Sequence, residues 1–236
     1  GRLMPLISTY VATGQKDNAH AGLRQYLLNV QERQTEEDYF TPQVFQIAAD
    51  WISQNTDNSP FFLWVDSFAP HEYWDPPPAF ADRYFVGPAV KDFIVPSMCD
   101  ENETSIQRTK ALYYGYVTFV DKWIGHLLNW LEDLKLTDET VLIFLTDHGT
   151  ELMDNGAFGK GKHGPRNYNA KIHLWFRHPD QAPRSEERRV GKDVDLGGRR
   201  IIKKKRKPTQ KGKTHTQAHL AVDHATLLAA ILHITH

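Results

Sequence analysis

The strongest constraint on the fold is a pair of short apolar runs, each released into a polar, titratable cluster. Phe61-Phe62-Leu63-Trp64-Val65-Asp66 and Val141-Leu142-Ile143-Phe144-Leu145-Thr146 are too short for buried helices and read as interior strands of a parallel sheet. The first leads to Pro70-His71-Glu72-Tyr73-Trp74-Asp75-Pro76-Pro77-Pro78 and the second to Asp147-His148-Gly149. Between them Leu112, Tyr116, Phe119, Val120, Trp123, Leu127, Leu131 and Leu134 recur at helical spacing, which predicts a long helix over about 105–134. Upstream, Thr41-Pro42 reads as the N-cap and first residue of a helix carrying Val44, Ile47, Ala48 and Trp51. Residues 170–176 form a third strand candidate, and residues 1–35 carry no clear pattern. Strands alternating with helices predict an α/β domain with a mainly parallel sheet flanked by helices. In such sheets, sites form beyond the carboxyl ends of the strands.

Three clusters carry candidate chemistry. At Asp147-His148-Gly149 a carboxylate and an imidazole can aim at one ion, or serve as ordinary loop residues. The oxygen ligand suits Ca2+ or Mg2+, and the imidazole tilts the pair toward Mn2+ or another transition metal. In Phe158-Gly159-Lys160-Gly161-Lys162-His163-Gly164, glycines beside Lys160 let the backbone approach an oxyanion that the ammonium neutralises. The alternative is a solvated basic loop; a Walker loop is excluded because Gly161 follows Lys160 where Ser or Thr is required. His71 can donate a proton to a leaving group or hold an anion, or simply cap a turn. Tyr73 and Trp74 either wall a pocket or pack against the prolines.

These segments, taken together, resemble the sulfatase family of the alkaline-phosphatase superfamily. The matching stretches are Pro60 to Glu72, Leu145-Thr146-Asp147-His148-Gly149-Thr150-Glu151-Leu152, Gly156-Ala157-Phe158-Gly159-Lys160-Gly161, and Ile172-His173-Leu174-Trp175-Phe176-Arg177-His178-Pro179. The resemblance covers roughly residues 36–183 and implies an α/β fold that hydrolyses small-molecule or glycan sulfate esters. It implies that Asp147 and His148 are metal ligands, for Ca2+ with Mn2+ as the alternative. It also implies that His71 contacts the sulfate and assists the leaving group, and that Lys160 binds a sulfate oxygen. The family's formylglycine nucleophile arises from a C/S-x-P-x-R motif, and no such motif occurs in this sequence. Cys99, the single cysteine, sits in Met98-Cys99-Asp100-Glu101 and excludes an intrachain disulfide. The family's adjacent Asp-Asp metal ligands are absent as well. The chain therefore reads as a partial catalytic domain over 1–183, expected to be inert in isolation and prone to aggregate through uncovered strand edges.

The net charge of −1 conceals an asymmetry, because residues 184–213 hold 13 Lys+Arg against 4 Asp+Glu. Residues 184 to about 207 resemble the translation of a sequencing-library adapter, so this basic segment is read as non-native or disordered. Residues 214–236, with Val222-Asp223-His224-Ala225-Thr226-Leu227-Leu228, are read as a segment where family-like sequence resumes and begins a helix. The rival enzymatic reading is a phosphonate monoester or phosphodiester hydrolase of the same superfamily. A rival of another class is nucleic-acid binding through the basic segment, and a third is a non-catalytic anion or metal binder. Against nucleic acid, no aromatic residue interleaves the basic run. No apolar run approaches the roughly 18 residues of a membrane span, so no membrane partner is expected.

Overall fold

The computed structural model describes residues 18–160, 166–181 and 227–233. In chain order the elements are helix α1 (Asn18–Val30), helix α2 (Phe40–Gln54), strand β1 (Phe61–Ser67) and the short helix α3 (Pro78–Ala81). Helix α4 (Glu103–Asp133) follows, then strands β2 (Thr140–Thr146), β3 (Glu151–Leu152) and β4 (Phe158–Gly159). The short helix α5 (Asn167–Ala170), strand β5 (Leu174–Arg177) and strand β6 (Leu227–His233) complete the set. The α/β class expected from the sequence is present. Among the described residues, no helix is long and apolar enough to cross a membrane. The basic segment 184–213 lies outside the described residues.

Helix α4 supplies the largest share of the core of any element. Leu112, Tyr116, Phe119, Val120, Trp123, Leu127 and Leu131 are buried along one stripe, as the periodicity predicts, with Leu134 partly buried at its end. The helix starts where Asn102 Oδ1 accepts from Ser105 N at 2.9 Å. It stops in a Schellman motif: Lys135 takes the left-handed conformation (φ 59). There Leu136 N donates to Leu131 O and Lys135 N donates to Glu132 O, both at 2.9 Å. Arg108 ties the preceding loops to this helix, donating to Asp92 Oδ1 at 2.6 Å and to Asp82 Oδ1 at 2.7 Å. Against the stripe pack Phe45, Ala48 and Ile52 of α2, Phe61 and Val65 of β1, and Leu23 and Leu27 of α1.

Helix α2 begins at Phe40, with Tyr39 as its cap, two residues earlier than Thr41-Pro42 suggested. Pro42 still falls in the first turn, where its missing N–H has no intrahelical partner to lose. Helix α1 occupies a stretch in which the sequence showed no pattern. Among its described side chains, Leu23 and Leu27 are the buried apolar ones, too few to mark a face.

The main sheet has the order β1-β6-β2-β5. Each ladder among the described residues is antiparallel: β1 with β6, β6 with β2, and β2 with β5. Because β1 and β2 are both antiparallel to β6, they run in the same direction with β6 between them. The parallel relation read from the sequence thus holds for their orientation but not for their hydrogen bonding. Among the described residues, strand β1 lies at the edge of this sheet rather than in its interior. It buries Phe61, Val65 and Ser67 toward the helices and leaves Phe62 and Trp64 60% and 48% exposed on the other face. Residues 227–233, expected to belong to a helix, form β6 instead. Residues 227–232 are an unbroken apolar run of Leu, Ala and Ile, and such a run satisfies either period. The segment resolves as a strand because it pairs on both edges.

Candidate active site

Since β1 and β2 point the same way, their carboxyl ends reach the same edge of the sheet, and the candidate residues gather there. Beyond β1, His71 N donates to Phe68 O at 2.9 Å to close a turn, and the His71 ring lies 4.2 Å from the Phe68 ring. His71 Nε2 meets Lys160 Nζ directly. An ammonium only donates, so Nε2 accepts and the ring proton resides on Nδ1. From there it faces the Glu72 carbonyl at 2.8 Å and Glu72 Oε2 at 3.0 Å. The same carboxylate oxygen lies 3.1 Å from Lys160 Nζ, so Glu72 joins His71 to Lys160.

Lys160 is delivered by the β3–β4 hairpin. Gly159 immediately before it has φ +92, a conformation L side chains rarely adopt, and a Cβ there would meet Glu72 Oε1 at 3.5 Å. The hairpin is held by Thr150 Oγ1 donating to Gly159 O at 3.3 Å and by Gly149 N donating to Asn169 O at 2.9 Å. Glu151, only 2% exposed, accepts from Asn155 N at 3.0 Å and closes the hairpin turn.

Beyond β2, His148 N donates to Asp147 Oδ1 at 2.8 Å, and His148 Nδ1 lies 2.9 Å from Gly149 O. That carbonyl can only accept, so the Nδ1 proton is committed to it and the Nε2 lone pair is left uncommitted. Nε2 is 3.6 Å from Asp147 Oδ2. An imidazole fixed through its other nitrogen, beside a carboxylate, is the arrangement metal-ligating histidines use. The pair fits the chemistry of two ligands of a divalent ion, and both side chains are partly exposed. Among the described residues, no group of three or more His, Cys, Asp or Glu side chains is disposed to hold a metal.

The two halves adjoin: the His71 and His148 rings are 6.5 Å apart between centroids. The structure thus brings His71, Lys160 and His148, with Asp147, to one edge. Glu72, to which sequence reasoning gave no role, is the group that links two of them. Its position next to His71 was the available signal, but its contact to Lys160 is long-range. Of the two aromatics left open, Trp74 is core, 1% exposed against Tyr113 and Phe158. Tyr73 instead lines a cavity of about 320 Å³ whose lining also includes Tyr26, Phe40, Val44, Tyr116, His71 and Glu72.

Behind that cavity is a charge cluster the sequence did not reveal. Arg33 Nη1 donates to Asp75 Oδ2 at 3.1 Å, and Tyr26 OH donates to the same oxygen at 2.9 Å. The guanidinium lies 4.1 Å from the Tyr39 ring and 5.0 Å from that of Phe40. Burial pushes the Asp75 carboxyl above its ordinary range, outweighing the opposing pull of Tyr26 and Arg33. Burial likewise raises the Tyr26 and Tyr116 phenols. The Tyr26 ring packs against that of Tyr73 at 4.4 Å, tilted by 32°, so the cluster braces the loop that carries His71 and Glu72.

Comparison with known proteins matches residues 8–196 to the family described as Sulfatase. That match runs past residue 183, where the sequence reading ended the resemblance. Among curated relatives, an arylsulfatase of Clostridium perfringens is 26% identical over 61% of this chain and 33% of its own length. A choline-sulfatase of Rhizobium meliloti is 28% identical over 26% of this chain and 12% of its own. An ulvan-active sulfatase of Formosa agariphila is 28% identical over 41% of this chain and 18% of its own. The chain therefore spans a third or less of these relatives.

Proposed function

Because the chain belongs to the sulfatase family, we propose that it carries one half of the catalytic site of a sulfuric ester hydrolase, within a mainly parallel, helix-flanked sheet in the complete domain. The observation that supports this is the meeting of Lys160, His71 and Glu72 beside the Asp147–His148 pair.

Lys160 binds a sulfate oxygen, and His71 contacts the sulfate and protonates the departing alkoxide. The proton path is short: Lys160 donates toward His71 Nε2, and the Nδ1 proton is held by Glu72. When an anionic ester draws the ammonium to itself, Nε2 is freed, takes up a proton from solvent and delivers it to the leaving oxygen, while Glu72 holds Nδ1–H and keeps the ring oriented. Asp147 and His148 hold a divalent metal, Ca2+ or Mn2+, which when bound supplies electrostatic stabilisation of the developing negative charge. The nucleophile, a formylglycine in this family, is not encoded in this sequence, so the chain binds sulfate but does not turn an ester over.

Titrating sulfate while following the histidine ring signals by NMR tests the reading. Binding is expected to shift the His71 signals and to be abolished by Lys160→Ala. Undiminished sulfate binding in that variant would remove the anion site from Lys160. Parallel titration of phenyl sulfate and phenylphosphonate separates sulfate from phosphonate selectivity. Turnover of an aryl sulfate by the pure chain would refute the expectation of inertness.

A further inference from the structure

The 320 Å³ cavity is unaccounted for by sulfate binding and metal ligation. Its walls are aromatic and aliphatic: Tyr26, Phe40, Val44 and Tyr116 from three helices, and Tyr73 from the loop after β1. The lining continues to His71 and Glu72, and His71 touches Lys160, so the cavity adjoins the anion site.

Size, charge and hydrogen bonding each narrow its occupant. A cavity of about 150 Å³ accepts benzene, so this one has room for about twice as much, two fused rings or one substituted ring. The described lining includes Asp66 and Glu72 but no Lys or Arg. Arg33 stands behind Phe40 and Tyr26, with its charge answered by Asp75, and is not part of the lining. A carboxylate or second sulfate on the occupant would therefore meet no counter-charge. A sugar ring is less well served, because two of the lining hydroxyls already have partners: Tyr26 OH is held by Asp75 and Ser67 Oγ donates to Ala69 O at 3.4 Å. An unpaired hydroxyl buried there is strongly disfavoured. The walls are also fixed in advance, with Tyr26 packed against Tyr73 and bonded to Asp75, which lowers the ordering cost of receiving a flat ring.

We propose that this cavity seats the alcohol portion of the ester, and that this portion is an uncharged bicyclic or substituted aromatic ring rather than an anionic glycan. The assignment builds on the sulfate-ester reading, since it takes the neighbouring His71–Lys160 pair as the sulfate end.

The test is equilibrium binding to the full chain, read by probe fluorescence, with 2-naphthol as the uncharged bicyclic probe. Wild-type protein is expected to bind 2-naphthol, and 6-hydroxy-2-naphthoate at least about tenfold more weakly. Glucose is expected not to compete. Val44→Trp, which fills the cavity, and Phe40→Ala, which removes a partly exposed wall, should each weaken 2-naphthol about tenfold or more. The pair guards against a folding defect in either, checked by circular dichroism. No binding by wild type, full binding by both folded variants, equal affinity for the carboxylate probe, or competition by glucose would each overturn the assignment. A further comparison isolates the underlying reading. If 2-naphthyl sulfate binds no more tightly than 2-naphthol, or its advantage survives Lys160→Ala, the sulfate site fails while naphthol binding still decides the cavity.

Discussion

Two glycines of α4 make a matched pair whose alanine variants are expected to move stability in opposite directions. At Gly115 an added Cβ would lie 2.5 Å from Ala81 N, 2.6 Å from Ala81 Cα and 2.7 Å from Phe80 C. All three are backbone atoms of α3, which cannot rotate aside, so α3 must retreat by about 1 Å to restore contact near 3.5 Å. Overpacking of this kind costs up to about 3 kcal/mol. Replacing a helical glycine by alanine returns about 1 kcal/mol, leaving Gly115→Ala about 2 kcal/mol less stable. At Gly125 the new methyl meets nothing within 4 Å, so Gly125→Ala keeps the propensity gain of about 1 kcal/mol. For a chain of this size that is a Tm about 4–8 °C lower for Gly115→Ala and about 2–4 °C higher for Gly125→Ala. Paired thermal melts and urea titrations of the three proteins measure both. A Gly115→Ala protein as stable as wild type would refute the close approach of α3 and α4. Shifts of the same sign in both variants would do so equally.

Three further outcomes are expected. Burial raises the Asp75 carboxyl, so the native state holds this proton more tightly than the unfolded chain. Its contribution is complete below the ordinary aspartate value of about 3.9 and is lost as pH rises through the raised one. Asp75→Asn, which resembles the protonated form, should therefore cost under about 1 kcal/mol at pH 7 and flatten that acid-side slope. Asp75→Ala, stripping the acceptor from Tyr26 and Arg33, should cost about 3 kcal/mol; urea titrations from pH 4 to 7 compare them. Gly159→Ala forces a side chain into φ +92 beside Glu72, at about 1–3 kcal/mol. Sulfate titration should show it weakening binding at Lys160 although neither Lys160 nor Glu72 is itself substituted. Asn102→Ala removes the cap on Ser105 N and should lower stability by about 1 kcal/mol in the same urea assay.

What the sequence disclosed depended on whether the governing contacts were local. The α4 stripe and the β1 and β2 runs were legible because each writes its own burial into its spacing: Phe119 and Leu127 are as buried as their period implies. The ends of β1 and β2 could be located, so His71, Asp147 and His148 could be named, and Lys160 was named from the glycines on either side of it. Sheet order was not legible, because it is decided by pairing between segments far apart, such as Phe61 with His233. For the same reason β6 was mistaken for a helix and β1 for an interior strand. Glu72 and the Arg33–Asp75–Tyr26 cluster escaped notice because their partners lie on other elements. Helix α1 escaped for a different reason, since two buried leucines do not make a periodicity.

The position of β6 also sets an order of events during synthesis. Leu227 is the partner of both Ser67 and Thr146, so one late segment completes two ladders at once. Closing so long a loop carries an entropic cost that grows with its length, and folding slows as contacts become less local. The α4 core, whose stripe residues are close in sequence, can assemble while the chain is still emerging. Until Leu227–His233 has left the ribosome, β1 and β2 face each other across a gap one strand wide. During that interval the nascent protein is a β-strand acceptor, open to any extended peptide that reaches it first.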